Sequence, residues 1–186
     1  MRVLVGGVGY RNLRDHSVGV AVADRLAART WPDGVAVEDL SYNPIALVQR
    51  LEDEPEGRRF DRMVVVAGVS RPGRAPGTIE AYRWDGVLPS PEAVQAAVAE
   101  AVTGVISVDN TLVVARQFGG LPPEAIVVEV EPASDEEFGE ELSPTVAHLF
   151  DSLCERVAAL VLARDASHRL PATPLGGGRR VPAGTK

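Results

Sequence analysis

Three short, nearly unbroken apolar runs set the limits on this fold: Val3–Val8 (VLVGGV), Asp61–Val69 (DRMVVVAGV) and Ala125–Glu131 (AIVVEVE). Runs of strand length, rich in valine and bounded by glycine or acidic residues, are strands covered on both faces. Between them lie stretches with helical spacing, so strands and helices alternate along the chain. That order favours a mostly parallel sheet with helices on both sides.

The helix starts are marked. Asn43-Pro44, Ser90-Pro91 and Ser143-Pro144 each place a side-chain acceptor before a proline whose missing N–H costs nothing at the first helical position. The helix after Ser143 carries a stripe at Val146, Leu149, Phe150, Leu153, Val157, Leu160 and Val161. Asp15 is expected to cap a helix over roughly 16–29, and a further helix should run from about 107 to 118. Val35, Val37 and Leu40 mark another strand, and Thr78–Trp84 alternates like a half-exposed one. The expectation is a three-layer αβα domain over 1–164, with a twisted, mostly parallel five-stranded sheet and helices on both faces. Beyond Arg164 come prolines, a GGG run and few apolar residues, which read as a disordered tail over 165–186.

A chain of 186 residues is one domain of ordinary size, with enough apolar sequence to bury a sizeable core. Its net charge of −7 argues against nucleic acid and against anionic membrane surfaces as partners. Arg164, Arg169, Arg179, Arg180 and Lys186 gather near the end, among prolines and glycines, and read as a solvated charge run. Cys154 is the one cysteine, which excludes an internal disulfide; beside Leu153 and Val157 it reads as an inert, half-buried thiol. No stretch approaches the length of a membrane span, and the apolar start is too short and glycine-rich for a secretory leader. A cytoplasmic protein is expected.

In a parallel sheet, ligands gather beyond the carboxyl ends of the strands. Three segments should converge there: Gly9–Asp15, Gly68–Ser70 and the residues near Gly104. The first loop has two of the three glycines of a dinucleotide fingerprint, Gly7 and Gly9, with Asn12 in the third place. Asp15 stands where a pyrophosphate needs bare N–H groups, and a tight strand-to-helix turn explains the glycines equally well. Neither a nucleophile elbow nor a phosphate-binding G-x-x-x-x-G-K-[ST] loop occurs. Of three histidines, His168 falls in the tail and His148 beside core position Leu149, whereas His16 follows Asp15 at the mouth of the expected crevice.

The segment VLVGGVGYRNLRDHSVGVAVADRL (3–26) resembles the opening of the hydrogenase maturation proteases, nickel-recognising endopeptidases that trim the large-subunit precursor of nickel–iron hydrogenases. Gly7, Gly9, Leu13, Asp15, Gly19 and Val20 carry the match. APGTIEAYRWD (75–85) resembles the family's proline-glycine turn and following strand. ARQFGGLPPEAIVVEVEPAS (115–134) and ELSPTV (141–146) resemble its helix end, final strand and last helix cap. The resemblance spans about 1–160, with the elements in the same order. It implies a twisted α/β sheet with helices on both faces and a hydrogenase large-subunit precursor as partner. It also implies that nickel is recognised on the substrate, with no cofactor required by the protein itself.

The family resemblance further implies three metal ligands, and in register these fall on His16, Gly68 and Gly104. Imidazole is a possible ligand; glycine offers at most a backbone carbonyl. Tyr10 stands where the family usually has Asn. Asp15, Asp85 and Asp109 are the carboxylates that could substitute, Asp109 being best placed, about one turn beyond Gly104. Glycine at 68 and 104 should leave an emptier, more flexible crevice lined by Gly9, Asp15, Gly68, Ser70, Gly104 and Asp109. The reading is a hydrogenase maturation protease family protein acting in C-terminal processing of a large subunit, with nickel-dependent cleavage impaired or absent; the competing reading within the family is an active endopeptidase that uses His16 and further donors. A non-catalytic module that binds the precursor peptide is one alternative, and a small-molecule or nucleotide-binding protein using the Gly7–Gly9 turn is another.

Overall fold

The structure, a computed structural model, describes residues 1–133 and 138–176. In chain order the elements are β1 (Val3–Val8), α1 (Val18–Ala27), β2 (Val35–Asp39), α2 (Pro44–Glu52), β3 (Arg62–Gly68), β4 (Ile79–Trp84) and α3 (Pro91–Val102). They continue with α4 (Val108–Gln117), β5 (Glu124–Val130), α5 (Pro144–Leu162), α6 (Ala166–Arg169) and β6 (Ala172–Thr173). The strands form one six-stranded sheet in the order β2-β1-β3-β5-β4-β6. β1 lies parallel to β2 and β3, β3 is parallel to β5, β4 is antiparallel to β5, and β6 is parallel to β4.

The apolar runs work because alternate residues feed opposite faces. Val3, Val5, Val64, Val66, Ile126 and Val128 pack on one side with α1 and α5, through Val18, Val22, Leu26, Leu153 and Val157. Leu4, Met63, Val65, Ala125 and Val127 pack on the other with α2 and α4, through Leu47, Leu51, Val108 and Leu112. α3 lies outside α4, joined through Ala97, Ala101, Val113 and Val114. Asn43, Ser90 and Ser143 each cap their helix by accepting a backbone N–H, with Pro44, Pro91 and Pro144 next in line.

The sheet has one strand more than expected, and that strand lies in the stretch read as a disordered tail. The sequence from 165 to 176 is polar and proline-rich, but its partners are remote and local composition does not reveal them. Arg62 is fully buried and donates to the carbonyls of Leu160, Ala163 and Arg164, holding the end of α5. Ser167 donates to Glu124, and the N–H groups of Arg83 and Asp85 donate to the carbonyls of Pro171 and Thr173. The two backbone bonds satisfy N–H groups at and just beyond the end of β4 that would otherwise be orphaned. Residues 177–186, with Arg179, Arg180 and Lys186, lie outside the described residues. Among those described, no helix is long and apolar enough to cross a membrane.

Candidate functional site

β1 connects toward β2 on one side of the sheet while β3 pairs toward β5 on the other, so the chain switches direction between β1 and β3. Such a switch point leaves a crevice at the carboxyl ends of the strands. A cavity of about 200 Å³ opens there. β1 supplies Val8 and the loop after it Gly9 and Tyr10; His16 comes from a single 3-10 turn over Arg14–Ser17. Gly68, Val69 and Ser70 come from the end of β3, and Ile106–Asp109 from the start of α4.

Tyr10 joins two loops at this site. Its hydroxyl accepts the Ile106 N–H at 2.7 Å and its own N–H donates to the His16 carbonyl at 3.2 Å. It therefore ties the first loop to the α3–α4 connection across the mouth of the cavity. His16 is half-buried, with Nδ1 3.4 Å from the Gly68 carbonyl, a long contact.

Gly68 does not leave the emptiness that its missing side chain suggested. A Cβ there would lie 2.3 Å from the Asp15 carbonyl oxygen and 3.2 Å from the His16 Cα, so main chain already fills the space. Gly9 is similar, with the His16 carbonyl oxygen 2.1 Å from where its Cβ would be, and Gly7 meets the Gly19 carbonyl oxygen at 2.2 Å. These glycines let the first turn and α1 close on β1 and β3; their near neighbour is the chain itself, which weighs against the nucleotide reading. Gly104 differs again. It has a φ of +87° and open space around it, but it is not part of the cavity wall, which begins at Ile106.

Asp15 neither caps α1 nor faces the crevice. It is fully buried, and its carboxylate accepts the Ala133 N–H at 2.8 Å, the Ser143 N–H at 2.7 Å and the Ser143 hydroxyl at 2.7 Å. The expected cap fails because those partners, far along the chain, take both oxygens, while α1 starts only at Val18. Asp85 is remote for a topological reason. β4 runs antiparallel to β5, so the residue after Trp84 emerges at the opposite end of the sheet from the crevice.

Asp109 does line the cavity, but Arg71 holds it with two nitrogens at 2.8 and 2.7 Å. Arg71 also donates to Glu129 at 2.6 Å, and Arg74 and the Tyr82 hydroxyl donate to the same buried carboxylate. Burial alone would lower the proton affinity of Arg71, yet the hydrogen bonds to Asp109 and Glu129 outweigh it and hold the guanidinium above the ordinary arginine value. Burial pushes the Glu129 carboxyl up, and Arg71 and Arg74 more than offset it, leaving it below the usual range. Sequence reasoning passed over this cluster. The signal was present in Ala125–Glu131, where a carboxylate inside a buried apolar strand demands a cationic partner.

A divalent metal needs several convergent N or O donors. Here the cavity offers His16, while Gly68 supplies no side chain, Asp15 is committed to three donors and Asp109 to Arg71. Among the described residues no group of three or more His, Cys, Asp or Glu side chains is placed to hold a metal ion. The residues present do not fit a resident metal.

No protein-family model matches the chain. A curated relative, the hydrogenase expression/formation protein HupM of Azotobacter chroococcum mcd 1, is 32% identical over 177 residues, covering 94% of this chain and 77% of the relative. The hydrogenase expression/formation protein HoxM of Azotobacter vinelandii is 30% identical over 187 aligned positions, covering 95% and 84%. Among solved structures, the hydrogenase maturating endopeptidase HybD from E. coli superposes with a TM-score of 0.62 at 27% identity, covering 86% of this chain and 92% of that one. With curated relatives matched over nearly its whole length, and a maturating endopeptidase among the solved structures that superpose on it, the chain belongs to the hydrogenase maturation protease family.

Proposed function

We propose that this chain acts in nickel–iron hydrogenase maturation by holding the C-terminal region of a large-subunit precursor in the crevice between β1 and β3, with nickel-dependent cleavage impaired. One observation carries the reading: at position 68 the main chain of Asp15 and His16 stands where a ligating side chain would have to be. Nickel, as part of the substrate, would meet a single imidazole and an apolar wall. That is too few donors to grip it, because ligands act as a preformed set. What remains is a recess of about 200 Å³ with Val8, Val69, Ile106 and Val108 in its wall. Such a recess suits an apolar side chain of a bound peptide, with the hydroxyls of Tyr10, Ser70 and Ser107 at its lining for polar contacts. The protein requires no cofactor of its own in this reading. A lone buried cysteine and a net charge of −7 suit a cytoplasmic setting.

The test is incubation with a nickel-loaded large-subunit precursor, read by co-purification and by mass spectrometry of the precursor's C-terminus. A stable complex with an intact C-terminus is expected. Release of a C-terminal peptide that is lost on His16→Ala would show an active endopeptidase instead, and failure to form any complex would remove the holding role.

A further inference from the structure

Beyond β4 the chain returns to the crevice from behind. Tyr82 is buried, and its hydroxyl both donates to Glu129 at 2.9 Å and accepts the Gly176 N–H at 2.9 Å. Arg74 bridges in the same way, donating to Glu129, to Glu80 and, at 3.0 Å, to the Gly176 carbonyl. Gly176 has a φ of +83°, and a Cβ there would lie 3.4 Å from the Arg71 guanidinium carbon, so the chain passes flat against that side chain. Leu175 packs between two apolar clusters that share α4, one holding Val108 and Leu112 and the other Val113 and Val114. Arg71 also grips Asp109, a residue of the cavity wall, and its own N–H donates to Glu131 at 2.9 Å. A continuous path of hydrogen bonds and packing thus runs from Gly176 through Tyr82, Arg74 and Glu129 to Arg71, Asp109 and the crevice.

We propose that the C-terminal segment Leu170–Gly176 is a clamp on the crevice wall: its docking holds Arg71 and the start of α4 in place, so that the order of the wall and the docking of the segment rise and fall together. Three features support this. Glu129 is fully buried and depends on all three of its donors, so any movement of Arg74 or Tyr82 is felt by Arg71 through the shared carboxylate. Leu175 supplies apolar contact to the same helix whose first residues, Val108 and Asp109, line the cavity. The segment itself is short, a two-residue strand between Pro171 and Pro174, and it is held by bonds from Arg83, Asp85 and Arg74 and to Tyr82, each of which a single substitution can reach. Linkage then requires reciprocity: weakening either end must loosen the other. Arg71 is a positioning residue in this scheme. The clamp is a property of the wall and does not depend on what the crevice holds.

Hydrogen exchange on the full chain tests it from both ends. Leu175→Asp undocks the segment; amides of residues 106–112 are expected to exchange at least tenfold faster, while those of β1 and β3 keep their protection. Asp109→Asn weakens the other end; the Gly176 N–H and the 171–173 region are expected to lose protection several-fold. Tyr82→Phe keeps the packing and cuts the bridge, and is expected to give a smaller change at both ends. Faster exchange at 171–176 with none at 106–112 in Leu175→Asp, or no response of the segment to Asp109→Asn, would overturn the clamp. If Leu175→Asp also loses protection in β1 and β3, the Asp109→Asn arm alone decides. Precursor binding is not the readout, so this result stands or falls apart from the proposed function.

Discussion

Asp15 and Ser143 lie 128 residues apart in sequence and are joined twice, through the Ser143 N–H and through its hydroxyl. The same hydroxyl accepts the Val146 N–H and so caps α5. One buried carboxylate therefore fixes the turn before α1, the loop after β5 and the start of α5 together. The adjoining backbone is tightly specified too: Asn12 and Arg14 have φ of 64° and 40°, and Arg14 donates its N–H to the Gly139 carbonyl.

Asp15→Ala removes the acceptor for three donors at once, two of them on buried Ser143. Each charged hydrogen bond of this kind contributes about 1.5–3 kcal/mol, and the two Ser143 donors are left buried. The variant is expected to lose about 3–5 kcal/mol of stability, measured as a fall in the urea midpoint at constant slope. Asp15→Asn should recover part of this loss, because one oxygen still accepts.

The glycines at 68 and 104 should answer differently to substitution. Gly68→Ala forces a methyl against the Asp15 carbonyl and is expected to cost about 1–3 kcal/mol. Gly104→Asn meets open space, and Asn tolerates the left-handed backbone, so its cost should stay below about 1 kcal/mol. For the same reason, the double variant Gly68→Asp, Gly104→His should not gain stoichiometric nickel in a calorimetric titration. Tight one-to-one nickel binding by that variant, at unchanged stability, would show that the turn can move aside.

The buried Glu129 gives the stability a pH dependence with a definite sign. Its folded carboxyl sits below the ordinary value of 4.5, because Arg71 and Arg74 outweigh the burial that would raise it. A depressed carboxyl stabilises the fold fully above its unfolded value and loses that contribution as the pH falls through the folded one. The melting temperature should therefore drop on acidification below 4.5. In Glu129→Gln the curve should be flatter over that range and lower at neutral pH, as seen by scanning calorimetry.

Cys154 is buried in the face formed by α5, and burial pushes its thiol above the ordinary value of 9.0. Thiolate is the reactive form, so the native protein should resist iodoacetamide at neutral pH. Alkylation should appear only in step with unfolding, and mass spectrometry across a denaturant series will follow it.

The layers, the strand runs and the caps at Asn43, Ser90 and Ser143 were legible because each is a local pattern: period two in a strand, a polar residue before a proline, an apolar stripe. The crevice was legible too, since β1 and β3 announce their carboxyl ends with glycines. What the residues could not announce was distance. Asp15 looked like a cap because its partners, Ala133 and Ser143, come after eight further helices and strands. Gly68 looked like a gap because the turn that fills it belongs to residues 15 and 16. The segment after Arg164 looked structureless because Arg62, Glu124 and Tyr82, which hold it, are spread over three strands. Register with the family reached His16 and Gly68 correctly as neighbours, and placed Gly104 two residues short of the wall.

The pairing of β6 with β4 also bears on how this protein behaves in a crowd. Without β6, the N–H groups of Arg83 and Asp85 at the end of β4 would lie bare to any passing strand. The two-residue β6 covers them, and Pro171 and Pro174 on either side lack the N–H groups that would recruit a further strand outside it. A chain cut short before Pro171 would present an adhesive border, and its copies would stick to one another.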